Sequence, residues 1–237
     1  MDFLDDYLTR QDEQSFSVSA TQGSAFAKQV ADDYNPIHHA DSKRFCVPGD
    51  LLFAIALRQY GVRQNMAFQF LDLINADTRL HYPALDNKSE PGELEVTSDA
   101  GKAVLTLKYS GSCTQEAARV EQLLRQYVAF SGHNFPDILV PLMRQHDVMI
   151  NPQRPLVIYQ SMAFELNTVE FDALTIELAK TALQVNGKRG NAELHFVLTD
   201  GDEEIGRGIK HLVLSGLRPY QSDAIDAMCA EYAASKP

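Results

Sequence analysis

Apolar residues fall along this chain in two rhythms. From Leu51 to Leu57 every position is apolar, and the run opens at Pro48-Gly49-Asp50 and closes near Gly61. A helix that is apolar on all sides must be buried, so this stretch is the predicted centre of the core. Around it the rhythm changes to that of strands, predicted over residues 66–73, 78–82, 94–97 and 103–109. In the last of these Val104 alternates with Leu105 and Leu107. Pro83, Asp86-Asn87, Pro91-Gly92 and Asp99-Ala100-Gly101 supply the turns. Ahead of the buried helix, Phe3, Leu4, Tyr7 and Leu8 form one stripe of a short helix, and residues 16–19 predict a strand. Thr21 is placed to cap a helix running to about Ala31, with Phe26 and Val30 four apart on its inner face.

The second half repeats the plan. Residues 116–129 predict a helical or mixed segment, and residues 136–148 a second apolar helix. There Leu142-Met143-Arg144-Gln145-His146-Asp147-Val148 echoes Leu57-Arg58-Gln59-Tyr60-Gly61-Val62 with one gap. Strands are predicted over 156–166, 174–185, 192–198 and 205–214. In the second of these the apolar phase shifts between Ile176/Leu178 and Leu183/Val185, which implies a bulge near Lys180. Ser222 caps a last helix with Ile225, Met228, Cys229 and Tyr232 on one stripe. This order of elements divides the chain into a first unit over residues 14–115, a second, structural unit over 116–220 and a C-terminal helix over 221–237. Within the linkage of the two, Gly132-His133-Asn134-Phe135-Pro136-Asp137 reads as a turn before a helix, so one site per chain is expected.

Composition narrows the partners. With 237 residues, 45% hydrophobic and 22% charged, the chain is of ordinary globular make-up. Its net charge of −11 argues against a nucleic-acid partner, because phosphate binding needs clustered Lys and Arg. Three cysteines far apart, Cys46, Cys113 and Cys229, fit a reducing compartment. The first thirty residues carry no signal-like apolar run and no stretch has spanning length, so a cytoplasmic location without membrane contact is expected.

The candidate chemistry stands just before the buried helix, in Asp33-Tyr34-Asn35-Pro36-Ile37-His38. Proline fixes its own φ and keeps Asn35 out of the helical region, so Asp33 and His38 lie across a stiff bend on which two titratable groups can converge. Asn35 is suited to bond its own loop backbone. The first turn of the following helix offers free N–H groups near Gly49 that can hold an oxyanion. His38-His39 with Asp41 lacks the spacing of a zinc site, so no metal is expected, and Gly-x-Ser-x-Gly and phosphate-loop patterns are absent.

This string, Asp-x-Asn-Pro-[aliphatic]-His, resembles the signature of the MaoC-like (R)-specific enoyl-CoA hydratases and dehydratases of the hot-dog superfamily. The resemblance covers roughly residues 16–60. That family has Gly before the Asp where this chain has Asp32, and a longer link to the central helix than the one ending here in Pro48-Gly49. The resemblance implies an α+β tandem (double) hot-dog, each unit a buried helix wrapped by an antiparallel sheet. It implies an enzyme acting on trans-2-enoyl or (R)-3-hydroxyacyl thioesters, with a CoA thioester as substrate and no other cofactor. Asp33 and His38 would be the acid-base pair, Asn35 the loop anchor and Gly49 N–H the oxyanion donor. Pro48 and Asp50 would stand against the substrate, with Lys43, Arg44 and Arg58 as candidate basic contacts. A thioesterase on the same fold and a non-catalytic binder of acyl thioesters or another small ligand are the alternatives. Further pairing as a homodimer is left open.

Overall fold

The computed structural model describes residues 3–85 and 91–236. The predicted Asp86-Asn87 turn lies outside the described residues. In chain order the elements are β1 (Thr9–Arg10), β2 (Ser15–Ser17), α1 (Ala20–Gln29), α2 (Gly49–Tyr60), β3 (Val62–Phe70), β4 (Leu80–His81), β5 (Gly92–Ser98) and β6 (Ala103–Thr114). Then follow α3 (Ala117–Gly132), α4 (Leu139–Gln145), β7 (Val148–Met149), β8 (Val157–Leu166), β9 (Leu174–Asn186), β10 (Arg189–Asp200), β11 (Glu203–Ser215), β12 (Arg218–Pro219) and α5 (Ser222–Ala234). No helix is long and apolar enough to cross a membrane among the described residues.

Ten strands form one antiparallel sheet in the order β1-β2-β4-β5-β6-β3-β8-β11-β10-β9. The join between the halves is the β3–β8 pair, where Ala67 faces Ala163 and Phe68 faces Met162. Outward from that pair the strands run β6, β5, β4 on one side and β11, β10, β9 on the other, so the two halves mirror each other about the join.

Helix α2 lies in the core as its composition requires. Leu51 through Leu57 are all buried, and the Phe53 ring packs 5.0 Å from Phe68 and 4.7 Å from Tyr127. Burying each such large side chain stabilises the fold by about 1.5–3 kcal/mol. The partner of α2 is α3, whose Leu123, Leu124, Tyr127 and Val128 belong to the same apolar cluster. The 136–148 segment is helical only over Leu139–Gln145 and packs in a second cluster with Leu183, Leu194, Leu212 and Ile225. Helix α1 is capped two residues earlier than the predicted Thr21: Ser19 Oγ accepts from Gln22 N, and the Gln22 side chain accepts from Ser19 N. That reciprocal box satisfies two backbone donors at once. The predicted bulge is present, since His195 pairs with Lys180 and Phe196 with Leu178, leaving Ala179 as the extra residue.

Candidate active site

The Asp33 loop leaves α1 through Asp32, whose φ of 51° is left-handed. A glycine adopts that conformation without cost, and Asp is among the few residues that tolerate it. Asp33 N then donates to Ala27 O at 2.8 Å, and Asp33 Oδ1 accepts from Asn35 N at 2.9 Å. Asn35 Oδ1 accepts from Ile37 N at 3.2 Å, and residues Pro36–His38 close one 3₁₀ turn. Each bond holds the bend in one shape, as the Asn-Pro pair predicts.

The bend brings His38 Nε2 to 3.8 Å from Asp33 Oδ2. His38 Nδ1 lies 2.9 Å from the Cys46 carbonyl oxygen. A carbonyl only accepts, so Nδ1 carries a proton and donates it there, which leaves Nε2 facing Asp33. The Cys46 thiol is buried next to this bond, and burial, with the Asp33 charge, pushes it up to about 11.

Both side chains face a cavity of about 520 Å³. Its floor is the start of α2. Pro48 offers no side-chain cap, and the first α2 N–H groups to find a helix carbonyl are those of Leu51 and Leu52, on Pro48 O. Gly49 and Asp50 line the cavity as the first residues of α2, where N–H groups precede the helix's own hydrogen bonds. A side chain at 49 would meet Tyr159 Cδ1 at 2.8 Å, so only glycine lets β8 pack this close to the helix start.

Asp33, Asn35, His38, Arg44, Pro48, Gly49 and Asp50 all line this cavity. Lys43 and Arg58 do not, and their expected contact with the ligand is corrected here. Lys43 is exposed. Arg58 sits nine residues along α2 from Gly49, roughly 13 Å by helix rise. It pairs with Asp5 at 2.9 Å and covers the Phe16 ring.

Around the expected Asp50 stand residues of the site that gave no signal in the sequence. Asp50 Oδ2 accepts from Ser131 Oγ at 2.6 Å, and Lys210 Nζ donates to the same Ser131 oxygen. All three are buried and line the cavity. Burial raises the Asp50 pKa, partly offset by Lys210 and Ser131, and burial lowers that of Lys210, partly offset by Asp50. Lys210 Nζ also lies 4.2 Å over the Tyr159 ring, and Tyr159 shares a hydrogen bond with Tyr127. The only cue to this cluster was one lysine in an apolar strand, facing Ser131 from a distance of 79 positions.

The Gly132–Asp137 segment, read as a turn, is part of the wall. Gly132 packs on the Ala31 carbonyl, so closely that a Cβ would fall 1.6 Å from its oxygen, and Asn134 lines the cavity. His133 Nε2 donates to Asp32 Oδ2 at 3.1 Å, and Lys236 Nζ donates to the same oxygen at 2.6 Å. Tyr232 OH accepts from Tyr34 N and donates to Asp32 O, so α5 fastens the loop from outside.

The family model for a protein of unknown function, DUF3581, matches residues 2–223. The chain belongs to that family. No curated protein matches this DUF3581 member in sequence. Among solved structures it is similar to a putative thioesterase II from Thermobifida fusca, with 8% identity, a TM-score of 0.51, and coverage of 88% of this chain and 95% of that one. A conserved protein of unknown function with a hot dog fold from Alicyclobacillus acidocaldarius aligns at 11% identity, TM-score 0.49, over 92% of this chain and 98% of that one. An acyl-CoA thioesterase II from Mycobacterium marinum aligns at 11% identity, TM-score 0.44, over 90% and 96%. The Thermobifida likeness shows that the DUF3581 member shares that protein's fold, here a buried helix wrapped by an antiparallel sheet.

Proposed function

We propose that this protein is an acyl-thioester hydrolase built as two hot-dog units in tandem, with one site between them. The mirrored strand order about β3–β8 supports the tandem reading. The observation that carries the activity is the Asp33–His38 pair, 3.8 Å apart on one cavity that also receives the uncapped start of α2. A water between the two side chains gives its proton to His38 Nε2, with Asp33 holding the water and then the imidazolium. The thioester oxygen sits on the Gly49 and Asp50 N–H groups, where the charge of the tetrahedral adduct develops. The T. fusca neighbour of the same fold is described as a putative thioesterase, which supports hydrolysis over other uses of an activated water. Coenzyme A is the carrier we favour, with Arg44 at the cavity rim as its first basic contact. The wide spacing of Cys46, Cys113 and Cys229 along the chain supports a cytoplasmic location.

Hydration of an enoyl thioester is the second reading, and the Asp33-x-Asn35-Pro36-Ile37-His38 string favours it. There the same water attacks the β-carbon. The two reactions separate by product. Mixing the protein with saturated and trans-2-enoyl CoA thioesters should release free thiol from both, and Asp33→Asn or His38→Gln should lower the rate by about 10²–10⁴. Loss of the enoyl absorbance without thiol release would transfer the assignment to hydration. Saturable binding with neither product would leave a binding protein.

A further inference from the structure

Asp50, Ser131 and Lys210 stand in the cavity wall and have no part in the water step. They come from three elements, the first turn of α2, the last turn of α3 and the body of β11. Ser131 Oγ donates to Asp50 Oδ2 at 2.6 Å and accepts from Lys210 Nζ. The hydroxyl keeps one free lone pair, with a carboxylate in place to take its proton and an ammonium beside the oxygen. A tie between three elements alone is made as well or better by apolar side chains, because a buried ion pair recovers little more than its desolvation. Here the tie is polar, it lines the cavity, and Asp50 is at once its acid and the neighbour of Gly49 at the uncapped helix start. The second Asp50 oxygen, Oδ1, is buried with no hydrogen-bond partner among the described residues, so this carboxylate has spare capacity as an acceptor. Burial favours its protonated form, which suits a group that must accept a proton and give it up again.

We propose that Ser131 is a catalytic nucleophile, acylated by the thioester with Asp50 as its base and Lys210 as the charge that stabilises its oxygen. The step rests on the thioester reading. The Oγ–C bond forms as the hydroxyl proton passes to Asp50, and the carbonyl π pair moves onto an oxygen held by the α2 N–H groups. The adduct collapses with cleavage of the C–S bond, and the departing sulfur carries off the electron pair and takes the proton from Asp50. The acyl-Ser131 ester is then hydrolysed by the water that His38 and Asp33 activate. The C–Oγ bond breaks, the acid leaves, and Oγ regains a proton. Two sets of acid-base groups in one cavity thus have two half-reactions to serve.

The test uses the full chain and two reagents. A short alkyl fluorophosphonate should add once, at Ser131 by peptide mass mapping, and Ser131→Ala should lose the adduct. Acid quench during turnover of a short-chain acyl-CoA should show the acyl mass on the same residue, with an initial thiol burst that Ser131→Ala abolishes. Should Ser131→Ala fail to fold, Ser131→Cys decides, since a thiol of nearly the same size should take the acyl group as a thioester. No adduct on folded wild-type protein from either reagent, or an adduct elsewhere, overturns the assignment. Thiol release at wild-type rate by folded Ser131→Ala also overturns it and leaves the hydrolase reading standing. Fluorophosphonate labelling of Ser131 without thiol release would show a reactive serine but overturn its acylation by a thioester, and with it the hydrolase.

Discussion

Replacing Lys210 by Met isolates the electrostatics of the cavity wall. The substitution is close in length and apolar, so β11 keeps its packing, but Asp50 loses the one cation on its hydrogen-bonded chain while remaining buried. Breaking a buried pair by removing one partner costs about 3–5 kcal/mol. For a chain of this size that lowers Tm by roughly 6–20 °C. The loss depends on pH with a definite sign. Asp50 is already raised above its ordinary value by burial, and without Lys210 it is raised further. The native state then binds more protons than the unfolded chain, and stability falls as pH rises from the unfolded carboxylate value of ~3.9 to the folded one. The slope in that window is about 1.4 kcal/mol per pH unit. Thermal melts of wild type and Lys210→Met at pH 5 and pH 8 should therefore show a small gap at pH 5 and the full gap at pH 8. Asp50→Leu combined with Lys210→Met should recover most of it. A gap of equal size at both pH values, or one below about 1 kcal/mol at pH 8, would mean that Asp50 does not depend on Lys210 for its charge.

Gly49→Ala should keep the fold but displace Tyr159 from the helix start, since the new Cβ meets Cδ1 at 2.8 Å. Thioester kcat should fall while binding of the thiol product, followed by calorimetry, changes less. Gly132→Ala has no such escape, because its Cβ would lie 1.6 Å from a backbone oxygen; the variant should be recovered mostly unfolded by circular dichroism. Asp32→Gly retains the left-handed turn yet drops the contacts to His133 and Lys236, which are surface pairs worth about 0–1 kcal/mol, so Tm should barely move while kcat falls several-fold. Iodoacetamide at pH 8 should alkylate Cys113 and spare Cys46. Cys46 is buried, with a pKa near 11 and so about one part in a thousand thiolate, and peptide mass mapping of native protein reads the difference.

What the sequence made legible was local. The all-apolar run at 51–57, the alternation of the strands and the stiff Asn-Pro bend each follow from nearest-neighbour sterics and periodicity, and each is found in place. The Asp33–His38 approach was readable for the same reason, since its members stand five positions apart. The other side of the cavity was not. Ser131 and Lys210 lie 79 positions apart and reach Asp50 only after the sheet has folded, so no spacing in the chain records them. The 136–148 segment imitates α2 in composition, while α3, the helix that packs on α2, has an ordinary amphipathic pattern that does not announce its place. Arg58 was misplaced because charge alone was weighed, without the length of the helix that carries it away from Gly49.

The β3–β8 pair has a consequence for motion. Backbone hydrogen bonds run across the boundary between the halves, through Asn65–Glu165 to Gln69–Ser161, with no linker that could act as a hinge. The two sides of the cavity therefore cannot open by swinging apart, as two lobes on a flexible joint do. Ligand entry is left to the Asp33 loop and to α5, whose Tyr232, with Lys236 just past its end, holds that loop through side chains alone. Unfolding should accordingly proceed as one transition for both halves, while amide exchange in the Asp33 loop outpaces that of β3 and β8 by the free energy of releasing a few side-chain contacts.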